Sequence, residues 1–298
     1  MTSISFLKHY SRWVRFDPMS DPNIVLAKVV KSPLLLCACS LIAVRHTNED
    51  LASELAPKLY SCASNLVSAA ILTSPQPIEF FQAAVILCLW STTVDQVPFS
   101  IDSWLLSGFA IQHCQASSGL FDENITSPSP TSTSGDQPLL LFNKSNADYW
   151  YIWNHLCMVH LQYCVGTNRR PILQPRQIEK CRAIAHSDHD HTAGNYELRM
   201  VAEICLYSTL SDHSSYPSKS KAGSGSVNLL KAVAALQDWK KEWGFLLGIS
   251  FVPIILLPML ITNVIVYRRT TLTIPHNGIP FCPFNHLRSI SENENSPR

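Results

Sequence analysis

The chain has 298 residues, of which 46% are hydrophobic and only 15% charged. A charge fraction so far below the usual ~25% calls for a sizeable buried core and leaves little solubilising surface. With 23 basic and 22 acidic residues, the net charge of +1 excludes the strong positive field that holds nucleic acid by neutralising phosphates.

The opening stretch, "MTSISFLKHYSRWVRF", has no continuous apolar run after its charges and does not read as a secretory signal. Residues 1–30 read as an N-terminal extension. Leu34 to Arg45 is the first helix, starting after Pro33. Asp50 to Leu72 is the second, with Asp50 as its cap and Leu51, Leu55, Leu59 and Leu66 on one stripe. "TSPQP" (Thr73 to Pro77) stops one helix and restarts the next. Ile78 to Thr93 follows. Its core, "FFQAAVILCLW", carries one polar side chain, Gln82. That run is shorter than the ~20 apolar residues a bilayer needs, so it is read as the central helix of a helical core. "VDQVPF" is a turn, and Ile101 to Gln115 is a helix capped by Ser100 or Asp102.

From about 117 to 147 the composition shifts to Ser, Thr and Pro, as in "TSPSPTSTSGDQP", which reads as a disordered insert. Tyr149 to Val165 returns to an apolar helix, ended by Gly166. Gln174 to Ala185 and Asn195 to Leu210 are further helices. "SDHSSYPSKSKAGSGS" (about 211–226) is a second disordered insert, and Val227 to Trp243 is an amphipathic helix. The fold class is therefore all-α, an antiparallel helical domain over 31–243 with two disordered inserts. The sequons at Asn124 and Asn143 are read as idle, and cysteines inside apolar runs (Cys88, Cys157, Cys164, Cys205) as small hydrophobes in a reducing compartment.

Residues 244–298 form an atypical hydrophobic tail. "FLLGISFVPIILLPMLITNVIV", from Phe245 to Val266, has no charge and is followed by Tyr267, Arg268 and Arg269. By hydropathy this is a transmembrane candidate, interrupted by Pro253 and Pro258. A buried segment and an altered reading frame are the alternatives. In each case the tail is expected to lie apart from the helical domain.

Candidate chemistry is sparse. Cys157, His160 and Cys164 share one helix face at a spacing that suits zinc. The plainer reading is a core helix with a hydrogen-bonded histidine, and no metal site is expected. His186, Asp188, His189, Asp190 and His191 cluster in "AHSDHDH", read as a solvated loop. Arg169, Arg170, Arg176, Lys180 and Arg182 form a basic group, read as a solvated face in preference to an effector pocket. Asn154 and Gln162 sit on an apolar helix, where amides either fix register or mean nothing. No nucleophile elbow, phosphate loop or metalloprotease pattern occurs, so no catalytic residue and no cofactor is expected.

Two blocks carry a family likeness. One runs through "FFQAAVILCLW" to "DSWLLSGFAIQ", with Gln82, Trp90, Trp104 and Gly108 at its marked positions. The other is "YIWNHLCMVHLQYCVGTNRRPIL", with Trp153, Gly166, Arg169, Arg170 and Pro171. Together they resemble the regulatory domain of fungal zinc-cluster transcription factors, the middle homology region, over roughly residues 30 to 243. Within that family the wording is most similar to activators of secreted proteases of the PrtT type.

The resemblance implies a nuclear regulator of RNA polymerase II transcription that does no chemistry itself. It implies coregulator partners and homodimer formation. It also implies that DNA contact, and zinc, belong to a cluster of C-x2-C-x6-C spacing that these residues do not contain. It places the Gln82–Trp90 helix against Gly108. Independently of the resemblance, the core is expected to centre on Phe80 to Trp90 and to bury Leu87, Trp90, Trp104 and Leu105 together. The competing reading is a membrane-anchored, non-enzymatic helical protein, inserted in an endomembrane through 245–266.

Overall fold

A computed structural model describes residues 3–17, 19–44, 49–90, 93–94, 97–98, 101–118, 147–182, 196–214 and 224–246. These residues are almost wholly helical. The helices are α1 (Ser3–Val14), α2 (Pro22–Val30), α3 (Pro33–Val44), α4 (Glu49–Ala70) and α5 (Ile78–Trp90). After them come α6 (Ser103–Ser118), α7 (Ala147–Thr167), α8 (Pro175–Cys181), α9 (Tyr196–Ser214) and α10 (Ser224–Trp243). Two two-residue strands, Thr93–Val94 and Val97–Pro98, lie mostly within "VDQVPF" and pair antiparallel, Thr93 with Pro98 and Val94 with Val97. Of the first expected insert, 119–146 lie outside the described residues, as does the tail beyond Leu246. Of the second, 215–223 lie outside them, while 211–214 continue α9 and 224–226 begin α10 as helix, contrary to expectation.

The core follows from two helices that have no polar face. Every residue of α5 from Phe80 to Leu89 is buried. So is every residue of α7 from Trp150 to Leu161. Such helices must be surrounded. Here α4, α3, α5, α7, α9 and α10 pack in succession, each against the next, while α1 and α6 each touch both α5 and α7.

The N-terminal stretch is part of this packing. Leu7, Trp13, Val14 and Phe16 are buried in the same core cluster as Phe81 and Trp153. The end of α1 explains the one amide in α5. Arg15 adopts a left-handed conformation (φ 57°), and Phe16 N–H bonds back to the Ser11 carbonyl at 3.0 Å. That is a 6→1 helix stop. The Val14 carbonyl, left without an intrahelical partner, accepts from Gln82 Nε2 at 2.6 Å. Trp90 closes the same seam, edge-on to Tyr10 at 5.2 Å and Trp13 at 5.5 Å.

Three further expectations need correction. The buried stripe of α4 is Ala52, Ala56, Tyr60, Ala63 and Val67, while Leu51 is 42% exposed. Small residues face α3 because the two helices lie close, and the larger Leu55, Leu59 and Leu66 sit at the margins. Leu105 is 61% exposed, and Trp90 and Trp104 are half-buried, so only Leu87 of that expected quartet is fully enclosed. Finally, α7 does not end at Gly166. It runs to Thr167, and Asn168 takes the left-handed position (φ 54°). Arg169 N–H then bonds the Cys164 carbonyl at 3.0 Å, the same 6→1 stop as at α1. Asn tolerates this conformation better than most residues.

Phe81 is fully buried, so Phe81→Ala should lower unfolding free energy by ~3–5 kcal/mol. Leu105→Ala should change it by less than ~0.5 kcal/mol. Chemical denaturation of the two variants measures both, and equal effects would contradict the burial pattern.

Candidate functional site: the α6–α7 junction

Asp102 builds the start of α6. Its carboxylate accepts from the backbone N–H of Trp104 at 2.9 Å and of Leu105 at 3.3 Å, an N-cap. Of the two candidate caps, Asp102 is thus the one used. The same carboxylate pairs with Arg169 just beyond α7. The Arg169 guanidinium lies 5.3 Å from the centre of the Trp104 ring, and Trp104 Nε1 donates to the Arg170 carbonyl at 3.3 Å. Trp104 in turn stacks on His160 of α7, 5.9 Å centre to centre.

His160 is fully buried, and both its ring nitrogens are engaged. Nε2 accepts from the Ile172 backbone N–H at 3.2 Å. Nδ1 must then carry the proton, and it donates to Ser107 Oγ at 3.0 Å. Ser107 passes its own hydrogen to the Trp104 carbonyl at 3.2 Å. Pro171 stands between the Arg170 carbonyl and the Ile172 N–H used here. Its fixed φ narrows the conformations of that loop, and it has no N–H of its own to satisfy. Burial pushes His160 down from 6.5 to about 4, so it is neutral at physiological pH.

Gly108 belongs to this junction. A Cβ there would lie 3.2 Å from Ile172 Cδ1 and 3.4 Å from His160 Cε1. The close neighbour is therefore α7 and its following loop, not the Gln82–Trp90 helix. The reason is that α6 turns its Ser107–Gly108 face to the histidine. Trp104, Gly108, Arg169, Arg170 and Pro171 are thus brought together in one joint. Gln82 and Trp90 sit at the α1–α5 seam and Trp153 in the centre of α7. Gly166 stands apart, exposed and with open space around it.

The zinc-suited face of α7 is occupied by other contacts. Cys157 is hydrogen-bonded to Cys181, and burial pushes its thiol up. Cys164 is also pushed up by burial, to about 11, against a hydrogen bond from Trp104. Among the described residues no group of three or more His, Cys, Asp or Glu is placed to hold a metal. The "AHSDHDH" loop lies outside the described residues. The basic group is divided: Arg169 serves Asp102, Arg182 pairs with Glu242 and Glu179, and Arg170 and Arg176 are exposed. Asn154 proves to fix register, with Nδ2 donating to the Cys181 carbonyl at 3.1 Å. Gln162 is half-buried.

A second constellation was not anticipated. Trp13 of α1 meets His155 of α7 at 5.5 Å and Tyr196 of α9 at 6.1 Å. His155 Nδ1 lies 2.9 Å from the Tyr151 carbonyl and must donate to it. Its Nε2 therefore accepts from the Tyr196 hydroxyl, also at 2.9 Å. Arg12 covers Trp13 and Tyr196, and Arg15 covers Tyr151 while pairing with Asp148 at 3.3 Å. The aromatic and basic residues of "SRWVRF" were the available signal. A separate cavity of about 160 Å³ between α1, α2 and α3 is lined chiefly by apolar groups such as Leu7, Val29 and Leu36, too few polar groups to orient a ligand.

These arrangements tie helices together, and neither holds an accessible nucleophile or a free acid–base pair. They define a helical packing domain. The chain belongs to the family described as the transcriptional activator of proteases prtT middle domain, whose model matches residues 2–277. That match passes both ends of the 30–243 span.

Among curated relatives, an uncharacterized transcriptional regulatory protein of Schizosaccharomyces pombe is 28% identical over 80% of this chain and 41% of its own length. The transcriptional activator of proteases prtT of Aspergillus clavatus is 29% identical over 81% of this chain and 35% of its own. Its namesake in Aspergillus oryzae is 32% identical over 58% and 24%. The chain thus spans well under half the length of these relatives. No solved structure matches it.

Two outcomes test the junction. Gly108→Leu should destabilise, because Ile172 and His160 already fill the space, whereas Gly108→Ala needs only a small shift of the Ile172 tip. Equal stability of Gly108→Leu and the parent would refute the close packing. His160 gives a pH signature. Unfolded, it binds a proton below ~6.5; folded, only below about 4. Stability from this group is full above pH ~6.5 and falls by about 3 kcal/mol as pH drops to about 4. His160→Gln should show a shallower loss over that window in urea melts. An unchanged slope would contradict the buried, neutral assignment.

Proposed function

We propose that this chain is the regulatory middle domain of a fungal zinc-cluster transcription factor, acting in the nucleus on RNA polymerase II transcription of secreted protease genes. The observation that carries this reading is the family match over 2–277, with relatives named as activators of proteases. The near-neutral charge fits it: DNA would be gripped by a zinc-cluster segment outside these residues. Coregulator proteins, and a second copy of the chain, are the partners. The domain is non-enzymatic and needs no cofactor of its own.

A second reading rests on the uncharged run 245–266, which would anchor the chain in an endomembrane. Among the described residues no helix is long and apolar enough to cross a membrane. The run itself lies outside them, save Phe245, which is exposed, and Leu246, which is buried.

The test is an exchange. The corresponding segment of the Aspergillus clavatus relative is replaced by this chain in a strain lacking its own activator, and transcription of secreted protease genes is measured. Restored, medium-dependent transcription is the expected result. Transcription no higher than in the deletion strain, with the hybrid present in the nucleus, would contradict the reading. Hybrid retained in carbonate-washed membranes would favour the anchor.

A further inference from the structure

Nine cysteines lie in the described residues, all as free thiols, and Cys62 on α4 is the one among them that is exposed. Its Sγ is 3.4 Å from Sγ of Cys37 on α3, across a separation of 25 residues. Cys37 is only 8% exposed, and α3 and α4 pack directly on each other. We propose that Cys37 and Cys62 form a reversible, peroxide-driven disulfide that staples α3 to α4. This inference stands apart from the regulatory reading and needs only the geometry of the two helices.

A disulfide bond is ~2.05 Å long, so the sulfurs must approach by roughly 1.3 Å from their present 3.4 Å. Rotation of the two side chains within their rotamer wells supplies movement of that order. The roles divide by access. Cys62 meets water and is the sulfur that hydrogen peroxide reaches. Its thiolate attacks one peroxide oxygen, the O–O bond breaks, and a sulfenic acid forms while the departing hydroxide takes a proton and leaves as water.

Cys37 sulfur then attacks the sulfenic sulfur. The S–S bond forms, the S–O bond breaks, and the hydroxyl leaves with the Cys37 proton as a second water. Two thiols have lost two electrons and two protons, and one peroxide has become two waters. Burial, and then the adjoining Cys62 thiol, push Cys37 up to about 11. It is therefore the resolving partner and not the first target. A thiol reductant reverses the reaction by exchange, as a reducing compartment requires.

The molecule holds its own contrast. Cys157 and Cys181 are also hydrogen-bonded, but both are fully buried and give a peroxide no path. Cys39, two residues from Cys37, is half-buried and pushed up to about 12 by burial.

The full chain is reduced, freed of reductant, treated with equimolar hydrogen peroxide, alkylated and mapped by mass spectrometry without reduction. The expected product is a peptide pair linked through Cys37 and Cys62, lost on dithiothreitol, with Cys157 and Cys181 alkylated only after unfolding. Cys37→Ser, or Cys37→Ala if the serine is poorly tolerated, should leave Cys62 as a sulfenic acid that dimedone labels. Cys62 carried to sulfinic acid, linked between chains, or left unoxidised while Cys37 remains alkylatable in the wild-type chain would overturn the proposal. The wild-type map alone decides, so a variant that fails to fold does not protect the idea.

Discussion

The structure depends on the near absence of polar surface on α5 and α7. Helices buried all round gain from every apolar neighbour and lose from every unmatched polar group. The four buried polar side chains of α5 and α7, Gln82, Asn154, His155 and His160, each reach a different neighbour. Gln82 of α5 holds the end of α1. On α7, Asn154 holds the end of α8, His155 holds Tyr196 of α9, and His160 holds both α6 and the loop before α8. Tyr163 of α7 reaches back to the Cys88 carbonyl of α5 at 3.0 Å. Apolar contact is non-directional. These bonds supply direction, and they set the register of the outer helices against the inner pair.

That arrangement shows what the residues that carry the sequence resemblance do in this fold. Trp104, Gly108, Arg169, Arg170 and Pro171 form a packing joint in which one histidine is enclosed by an indole, a serine and a proline-held loop. Trp153 fills the centre of α7 at 0% exposure. Of these, Arg169 and Arg170 are exposed, and Arg169 is engaged by Asp102. The Asp102 carboxylate both caps α6 and pairs with Arg169 beyond α7, so this joint ties the start of α6 to the end of α7. The arginine–aromatic contacts, at Trp13, Tyr196, Tyr151, Trp104 and Trp243, place charge over the rings where the core meets water.

Most helices were legible because period and punctuation agreed: Pro33 and the "TSPQP" turn each mark a boundary the structure keeps. The all-α class followed from the same signals. What escaped was tertiary. "SRWVRF" reads as a short charged extension, yet Trp13 and Val14 are core residues, because α1 meets an α5 that has no other cover on that seam. His160 reads from the sequence as a hydrogen-bonded core histidine in preference to a metal ligand. Its partners, Ser107 and Ile172, are 53 and 12 residues away, and no local pattern shows them. Leu51 and Leu105 were assigned inward by hydrophobicity alone. The small residues at Ala52, Ala56 and Ala63, which permit the close approach of α3 and α4, carry no such flag.

The measurement that tests the central claim most directly is native-state hydrogen exchange as a function of denaturant. If α5 and α7 are the scaffold on which the other helices are registered, their amides should be the slowest and should exchange only through global unfolding, with the full denaturant dependence of that transition. Amides of α10, whose outward face carries Leu230 at 71% exposure, should exchange earlier through local opening. Should α7 instead exchange as fast as α10, or open while α4 and α10 remain protected, the buried pair is not the element that holds the fold, and the account fails.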